Sequence, residues 1–420
     1  MRICFFNRSY WPDFGATGQL LTELAEDLVT HHGCDVTIVT GYPLKGRAGV
    51  PAREVRNGVR IIRAAGTTRD PKRFVGRALN YITYFVSACW AGLRVPRADV
   101  IIAMTDPPIV GLAALLAAKR HGARFVFLCQ DIFPEVAVLL EDFRNDAVNG
   151  ALERVNRFLV RRADAIVALG DTMKRRLVDG KGADPARVSV IHNWADCSAL
   201  VPGPKDNPFS RAHGLRDAFV VMHAGNLGLS QNLDMVLDAA ERLIDQAGIR
   251  FVLIGDGSRR GALEARARER GLSNITFLPY QPREEMPKSY ASADLFLVSL
   301  KPGLAGYIVP SKLYSILAAG RPYVAAVEDD CEVADITRQY GCGVVVRPGD
   351  AEALAASILH IHRDGPRAAE LGQRAREAGL AFDRRGQVAA YAALFRTVAG
   401  AHMRPRATTC DTTRDVQARV

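Results

Sequence analysis

No CxxC pair occurs among the eight cysteines of this 420-residue chain, Cys4, Cys34, Cys89, Cys129, Cys197, Cys331, Cys342 and Cys410, so no paired-cysteine site is signalled. Several fall inside apparent strands or helices, which makes them expected buried free thiols of a reducing cytosol. No apolar run reaches the roughly 20 residues that a spanning helix needs. The two most apolar stretches, YITYFVSACWAGL from Tyr81 and PIVGLAALLAA from Pro108, both stop short. The N-terminus, MRICFFNRSYWP, enters a strand at once without the apolar core of a signal peptide, so the expected location is cytoplasmic. No His, Cys, Asp or Glu set has metal-site spacing, and neither a metal nor a cofactor is expected. No aromatic and basic interleaving marks a nucleic-acid platform.

What is present is a globular composition, 48% hydrophobic and 24% charged, in a chain longer than one domain usually is. The formal net charge of +10 favours anionic partners. Leu79, Ile82, Val86, Trp90 and Leu93 recur at helical spacing, with Arg69, Lys72, Arg73 and Arg77 before them and Arg94 and Arg97 after. That pattern fits a basic amphipathic helix at an anionic membrane surface, and equally a core helix with charged ends. The cluster Arg154, Arg157, Arg161 and Arg162 reads as a solvated helix face, and Glu328, Asp329 and Asp330 as a solvated loop.

Strands alternate with helices from end to end, which predicts an α/β fold with parallel sheets covered on both faces. Strands are expected at 3–6, 36–39, 59–62, 100–103, 125–128, 165–167 and 188–191, then at 220–223, 251–254, 275–277, 295–298, 323–326 and 343–346. Between the two runs, 193–217 carries Pro202, Gly203, Pro204, Pro208 and Gly214 and reads as a linker. The division is a Rossmann-like domain over 1–200, a second over 201–383, a closing helix within 384–400 and a mobile tail over 401–420.

Glycine loops mark where ligands could approach. Gly15 and Gly18 lie between the first strand and helix, Gly225 and Asn226 follow the first strand of the second half, and Gly255 and Asp256 follow its next strand. None has the GxGxxG spacing of a dinucleotide fold. Ser311 and Lys312, in VPSKLYSILAAGRP, open a helix after a strand and a glycine loop, an arrangement suited to a phosphate. Asp131, with Glu135 second, is the candidate carboxylate at the end of the 125–128 strand.

Taken in order, MRICFFNRSYWPDFGATGQLLTEL, VIHNWAD, HAGNLGLSQNLDMVLDAA, FVLIGDG and VPSKLYSILAAGRP resemble the GT-B glycosyltransferases of family 4, in their colanic-acid and exopolysaccharide branch, over about 1–400. The resemblance implies two Rossmann-like domains facing across a cleft and metal-independent, retaining transfer of a sugar from a nucleotide-diphosphate donor to a lipid-linked saccharide. It places the diphosphate among Gly225, Asn226, Ser311 and Lys312. With that placement Lys312 is the candidate cation at the departing phosphate, and Asp131 the candidate catalytic group on the sugar side, where many members carry a histidine and this chain has Gln130 and Asp131. Many members carry two glutamates seven residues apart, one facing the sugar and one holding the donor ribose. Here those positions are Tyr307 and Ser315. The alternatives are a non-hydrolysing nucleotide-sugar 2-epimerase, which shares the two-domain form, and a binding protein that has lost catalysis.

Overall fold

The computed structural model describes residues 1–13, 15–43, 49–67, 69, 74–140 and 145–403. Lys72, Arg73, Cys410 and the tail after 403 lie outside them. Eight strands build the first sheet: β1 (Arg2–Phe6), β2 (Asp35–Thr40), β3 (Arg53–Arg56), β4 (Val59–Arg63), β5 (Val100–Ala103), β6 (Arg124–Leu128), β7 (Ala165–Ala168) and β8 (Val188–Val190). Their order is β3-β4-β2-β1-β5-β6-β7-β8, parallel except for the β3–β4 pair. Six parallel strands build the second: β9 (Phe219–Ala224), β10 (Ile249–Ile254), β11 (Ile275–Leu278), β12 (Leu295–Ser299), β13 (Tyr323–Ala326) and β14 (Gly343–Val346), in the order β11-β10-β9-β12-β13-β14.

In both sheets the order reverses beside the first strand, so the loops after β1 and β9 open where a doubly wound fold leaves a crevice. Central strands such as RFVFL and LFLVS are buried on both faces, which explains their unbroken apolar character. Strand β3 was not expected from the sequence. Its polar REVR segment is an exposed edge, folded onto β4 by a two-residue turn in which Asn57 and Gly58 take φ of 47° and 80°.

The segment 193–217 is less of a linker than its prolines suggest. Trp194 is buried with its indole N–H donated to Glu23 Oε2 at 2.8 Å, and Asn207 caps a short helix, Pro208–Ala212, through a capping box. The last helix, Arg384–Met403, begins at the expected 384 and runs past 400, where the tail was expected to start. It crosses back to the first sheet, where Val388, Tyr391, Ala392 and Phe395 pack with Phe5, Leu24 and Leu28. Arg384 anchors its start on both Asp27 carboxylate oxygens, at 2.7 and 2.6 Å. The chain thus returns to its first domain, which ties the two halves together.

In the helix Phe74–Gly92 much of the apolar stripe faces outward rather than into the core. Tyr84 and Ala88 face the core, whereas Ile82, Val86 and Trp90 are 53%, 61% and 59% exposed, and Leu93 just beyond is exposed as well. Arg94 stacks over the Trp90 ring. No helix among the described residues is long and apolar enough to cross a membrane.

Candidate active site in the interdomain cleft

A cleft of about 570 Å³ separates the two sheets. Gly15 and Asp131 line it from the first domain; Gly225, Asn226, Ser311, Lys312 and Ser315 line it from the second. Seven of the eleven residues singled out in the sequence therefore meet in one cavity. Gly18, Gly255, Asp256 and Glu135 do not.

Lys312 is the cation of this cleft's second-domain wall that lies beneath the Gly225 loop. Its Nζ donates to Gln231 Oε1 at 2.7 Å and lies 3.1 Å from His223 Nε2. Burial lowers its pKa to about 7. His223, at the end of β9, is fully buried; burial first, then Lys312, pushes it well below the ordinary histidine value, so the neutral ring accepts from the ammonium. Two of three lysine donors are thereby used, and the third is free for a ligand oxygen. The helix it opens, Lys312–Ala318, is only two turns long, and Ser311 at its cap makes no side-chain capping bond. The lysine side chain, rather than the helix end, supplies the positive charge.

Gly255 and Gly257 act on the cleft from behind. A Cβ on Gly255, at φ 148°, would lie 1.8 Å from the Gly225 carbonyl oxygen, and one on Gly257 would lie 2.5 Å from that of Leu227. The backbones touch, so these glycines fix the shape of the 225–228 loop. Asp256 points its backbone oxygen to the Leu227 N–H, 2.9 Å away. Gly18 is buried against the Ser9 and Tyr10 backbone, 3.3 Å from where its Cβ would stand, and borders a second cavity.

That second cavity, of about 250 Å³, lies in the first domain between Ser9, Tyr81, Asp106 and Phe133. Asp131 lines both cavities, which places its carboxylate at their junction. Burial, with Asp106 adding like charge, raises Asp131 to about 7. Asp106 is held by the Ser9 hydroxyl. Asp131 is thus poised between its acid and base forms near neutral pH.

Glu135 does not reach the cleft. It takes both its hydrogen bonds, 2.7 and 2.8 Å, from Lys181, a lysine 1% exposed that Glu153 also binds. A buried ammonium needs such partners, so this carboxylate is structural. Glu328 is likewise no free acid of a solvated loop, because it accepts from the Gly303 and Ala305 N–H groups at 3.1 and 3.2 Å. It shapes the 301–310 segment that docks on the first domain, where Tyr307 stacks under Arg176 and its carbonyl accepts from Ile132 N at 3.0 Å. Tyr307 therefore packs between domains and does not line the cleft.

Tyr280, Arg283 and Tyr290 form the far end of the cleft, and sequence reasoning passed over all three. Arg283 reaches across to Glu23 of the first domain. The loop PYQPREEM, which holds Tyr280 and Arg283, carries no spacing signal, and Tyr290 sits on the short helix Met286–Ala291 that follows; only the return of the chain after β11 brings them over the cavity. His223 and Gln231 were visible in HAGNLGLSQN but had no evident task until Lys312 was seen between them. Among the described residues, no group of three or more His, Cys, Asp or Glu side chains is placed to hold a metal.

Two family models match this two-domain frame. Residues 15–194 fit the Glycosyl transferase 4-like domain and residues 218–364 the Glycosyl transferases group 1 domain. The probable glycosyltransferase WbjE of Pseudomonas aeruginosa is 30% identical over 270 residues, covering 64% of this chain and 67% of WbjE. The chain belongs to the family 4-like, group 1 glycosyltransferases.

A second relative, the putative colanic acid biosynthesis glycosyl transferase WcaI of Escherichia coli K12, is 27% identical over 85% of this chain and 91% of WcaI. Anabaena HepE, crystallised in complex with UDP, superposes with a TM-score of 0.72 at 17% identity, over 94% of this chain and 100% of that one. The shared fold is GT-B. This membership sets the glycosyltransferase apart from the epimerase alternative and confirms the two facing Rossmann-like sheets expected from the sequence. In this glycosyltransferase the position of one family glutamate, Ser315, does line the cleft, while that of the other, Tyr307, is spent on the domain contact.

Proposed function

We propose that this glycosyltransferase moves a sugar from a nucleotide-diphosphate donor in the interdomain cleft to a lipid-linked saccharide during surface-polysaccharide assembly. The observation that carries the donor is Lys312, steadied by Gln231 and His223 under the Gly225 loop and left with one free donor toward the cleft. As the bond from the sugar C1 to the phosphate oxygen breaks, negative charge grows on the diphosphate, and a fixed cation there lowers the barrier. HepE, of the same fold, was crystallised with UDP and with UDP-glucose, which supports such a donor.

On the other side Asp131 faces both cavities, so an acceptor in the smaller one would present its hydroxyl beside that carboxylate. Asp131 orients the hydroxyl and can take its proton as the new C1–O bond forms; the leaving phosphate is the second possible proton acceptor in a retaining transfer. WcaI is named for colanic acid biosynthesis, which supports a polysaccharide product. The exposed Ile82, Val86 and Trp90 stripe supports a lipid-borne acceptor at an anionic membrane surface. The face lies on the same helix as Tyr81, a wall of the smaller cavity.

The test is release of nucleoside diphosphate from a panel of nucleotide sugars, with and without a saccharide acceptor. Acceptor-dependent release in the wild type, lost in Lys312→Ala with the fold intact, is the expected result. Normal turnover in Lys312→Ala contradicts the assignment of the donor site, and tight donor binding without turnover on any acceptor favours a binding protein.

A further inference from the structure

We infer that Asn193 is a specificity residue of the cleft, whose side chain accepts a hydrogen bond from an O–H or N–H group of the nucleotide sugar and does not touch its diphosphate. The inference rests on the donor reading above. Asn193 follows β8, lines the cleft and is 1% exposed, yet its Oδ1 has no hydrogen-bond partner among the described residues. Other buried side chains carry such an atom, Asn7 and Tyr391 for example, but among the described residues only that of Asn193 belongs to the cleft wall. Buried polar atoms ordinarily find a partner, and one left without it costs stability. At Asn193 the partner can come from the cleft.

The residues around Asn193 hold it in place before any substrate arrives, which is what a recognition group requires. His192 packs edge-on against Phe382, with ring centroids 5.0 Å apart. Trp194 is buried with its indole N–H on Glu23, and the Ala195 carbonyl accepts from the Arg384 N–H at 3.0 Å. The amide of Gln231, on the opposite wall, is by contrast already spent on Lys312 and Ser230.

Chemistry selects the group that Asn193 takes. An amide oxygen only accepts, and so do the ionised oxygens of a diphosphate, so the two cannot pair. The donors of a nucleotide sugar are the hydroxyls of the transferred sugar and the O–H and N–H groups of the nucleoside. Lys312 therefore holds the anionic middle of the donor, and Asn193 reads one of its uncharged ends. A substrate without the matching group would leave Oδ1 unpaired, which is how a polar site rejects an analogue.

The experiment is calorimetric titration of UDP, UDP-glucose, GDP and GDP-mannose into the wild type, Asn193→Leu and Asn193→Ala, beside urea unfolding of the free proteins. For the nucleotide that binds, both variants should lose about tenfold in affinity. Free Asn193→Leu should unfold no earlier than wild type, because an apolar side chain of similar size removes the unpaired atom. Loss confined to the nucleotide sugar assigns the group to the transferred sugar, and equal loss for the nucleoside diphosphate assigns it to the nucleoside. Wild-type affinity for every ligand in both variants overturns the inference while leaving the donor site standing. Weaker binding with earlier unfolding in both variants also overturns it, since Asn193 would then be a structural residue. Failure of all four ligands to bind the wild type overturns the donor reading, and the inference with it. Should Asn193→Leu not fold, the affinities of Asn193→Ala decide.

Discussion

Replacing Lys312 by methionine should stabilise the protein and disable it at once. Moving a lysine from its ordinary 10.5 to about 7 corresponds to roughly 4–5 kcal/mol against its charged form. The bonds to Gln231 and His223 return about 1 kcal/mol each, so removing the amine leaves a net gain of about 2 kcal/mol. The gain depends on pH in a defined direction. Between about 7 and 10.5 the unfolded chain binds more protons at this lysine than the folded chain, so wild-type stability rises with pH through that window. The advantage of Lys312→Met is therefore full below pH 7 and gone above 10.5. Loss of the cation at the leaving diphosphate should meanwhile lower kcat by about 10²–10³-fold. Urea unfolding of both proteins at several pH values, beside nucleoside-diphosphate release, measures the two effects. A Lys312→Met protein that is less stable than wild type at pH 7 but turns over normally would falsify the reasoning, because it would make Lys312 a packing residue.

Asp131→Asn should also stabilise the fold at pH 8, by on the order of 2 kcal/mol, because the native carboxyl holds its proton up to about pH 7 while the unfolded one loses it near 4. The difference from wild type should vanish below pH 4, and thermal unfolding across pH checks it. Gly255→Ala should cost about 3 kcal/mol or more, since its methyl would meet the Gly225 carbonyl, and nucleotide affinity should fall with it; wild-type unfolding behaviour would contradict the brace. Glu23→Gln breaks the cross-domain ion pair with Arg283, and small-angle scattering should show a more open molecule; an unchanged radius of gyration speaks against a latch. A Val86→Ser, Trp90→Ser double variant should lose sedimentation with phosphatidylglycerol vesicles while keeping turnover on a soluble acceptor, and equal sedimentation of the two proteins removes the membrane reading.

Elements whose apolar pattern reflects two-sided burial were legible in the sequence: each expected strand recurs within one or two residues of its place. The edge strand β3 was not, since REVR has nothing apolar to bury and is held by its turn and by β4. Candidate residues on short connections directly after a strand, such as Gly15, Asp131 and Gly225, converge because strand ends in a doubly wound sheet converge. Glu135 misled because its spacing said nothing of Lys181, which sits 46 residues further along and is buried with it. Arg283 and Tyr280 were silent for a similar reason. They are brought to the cleft by tertiary folding and by the Glu23 contact, neither of which leaves a local pattern.

The most direct measurement is a crystal structure of the protein with the nucleoside diphosphate that it binds. The account predicts the diphosphate in the interdomain cleft, within hydrogen-bonding distance of Lys312 Nζ and the Gly225 loop, with Asp131 across the cavity. A diphosphate bound elsewhere, with Lys312 still closed onto Gln231 and His223 and no contact to the ligand, would contradict it.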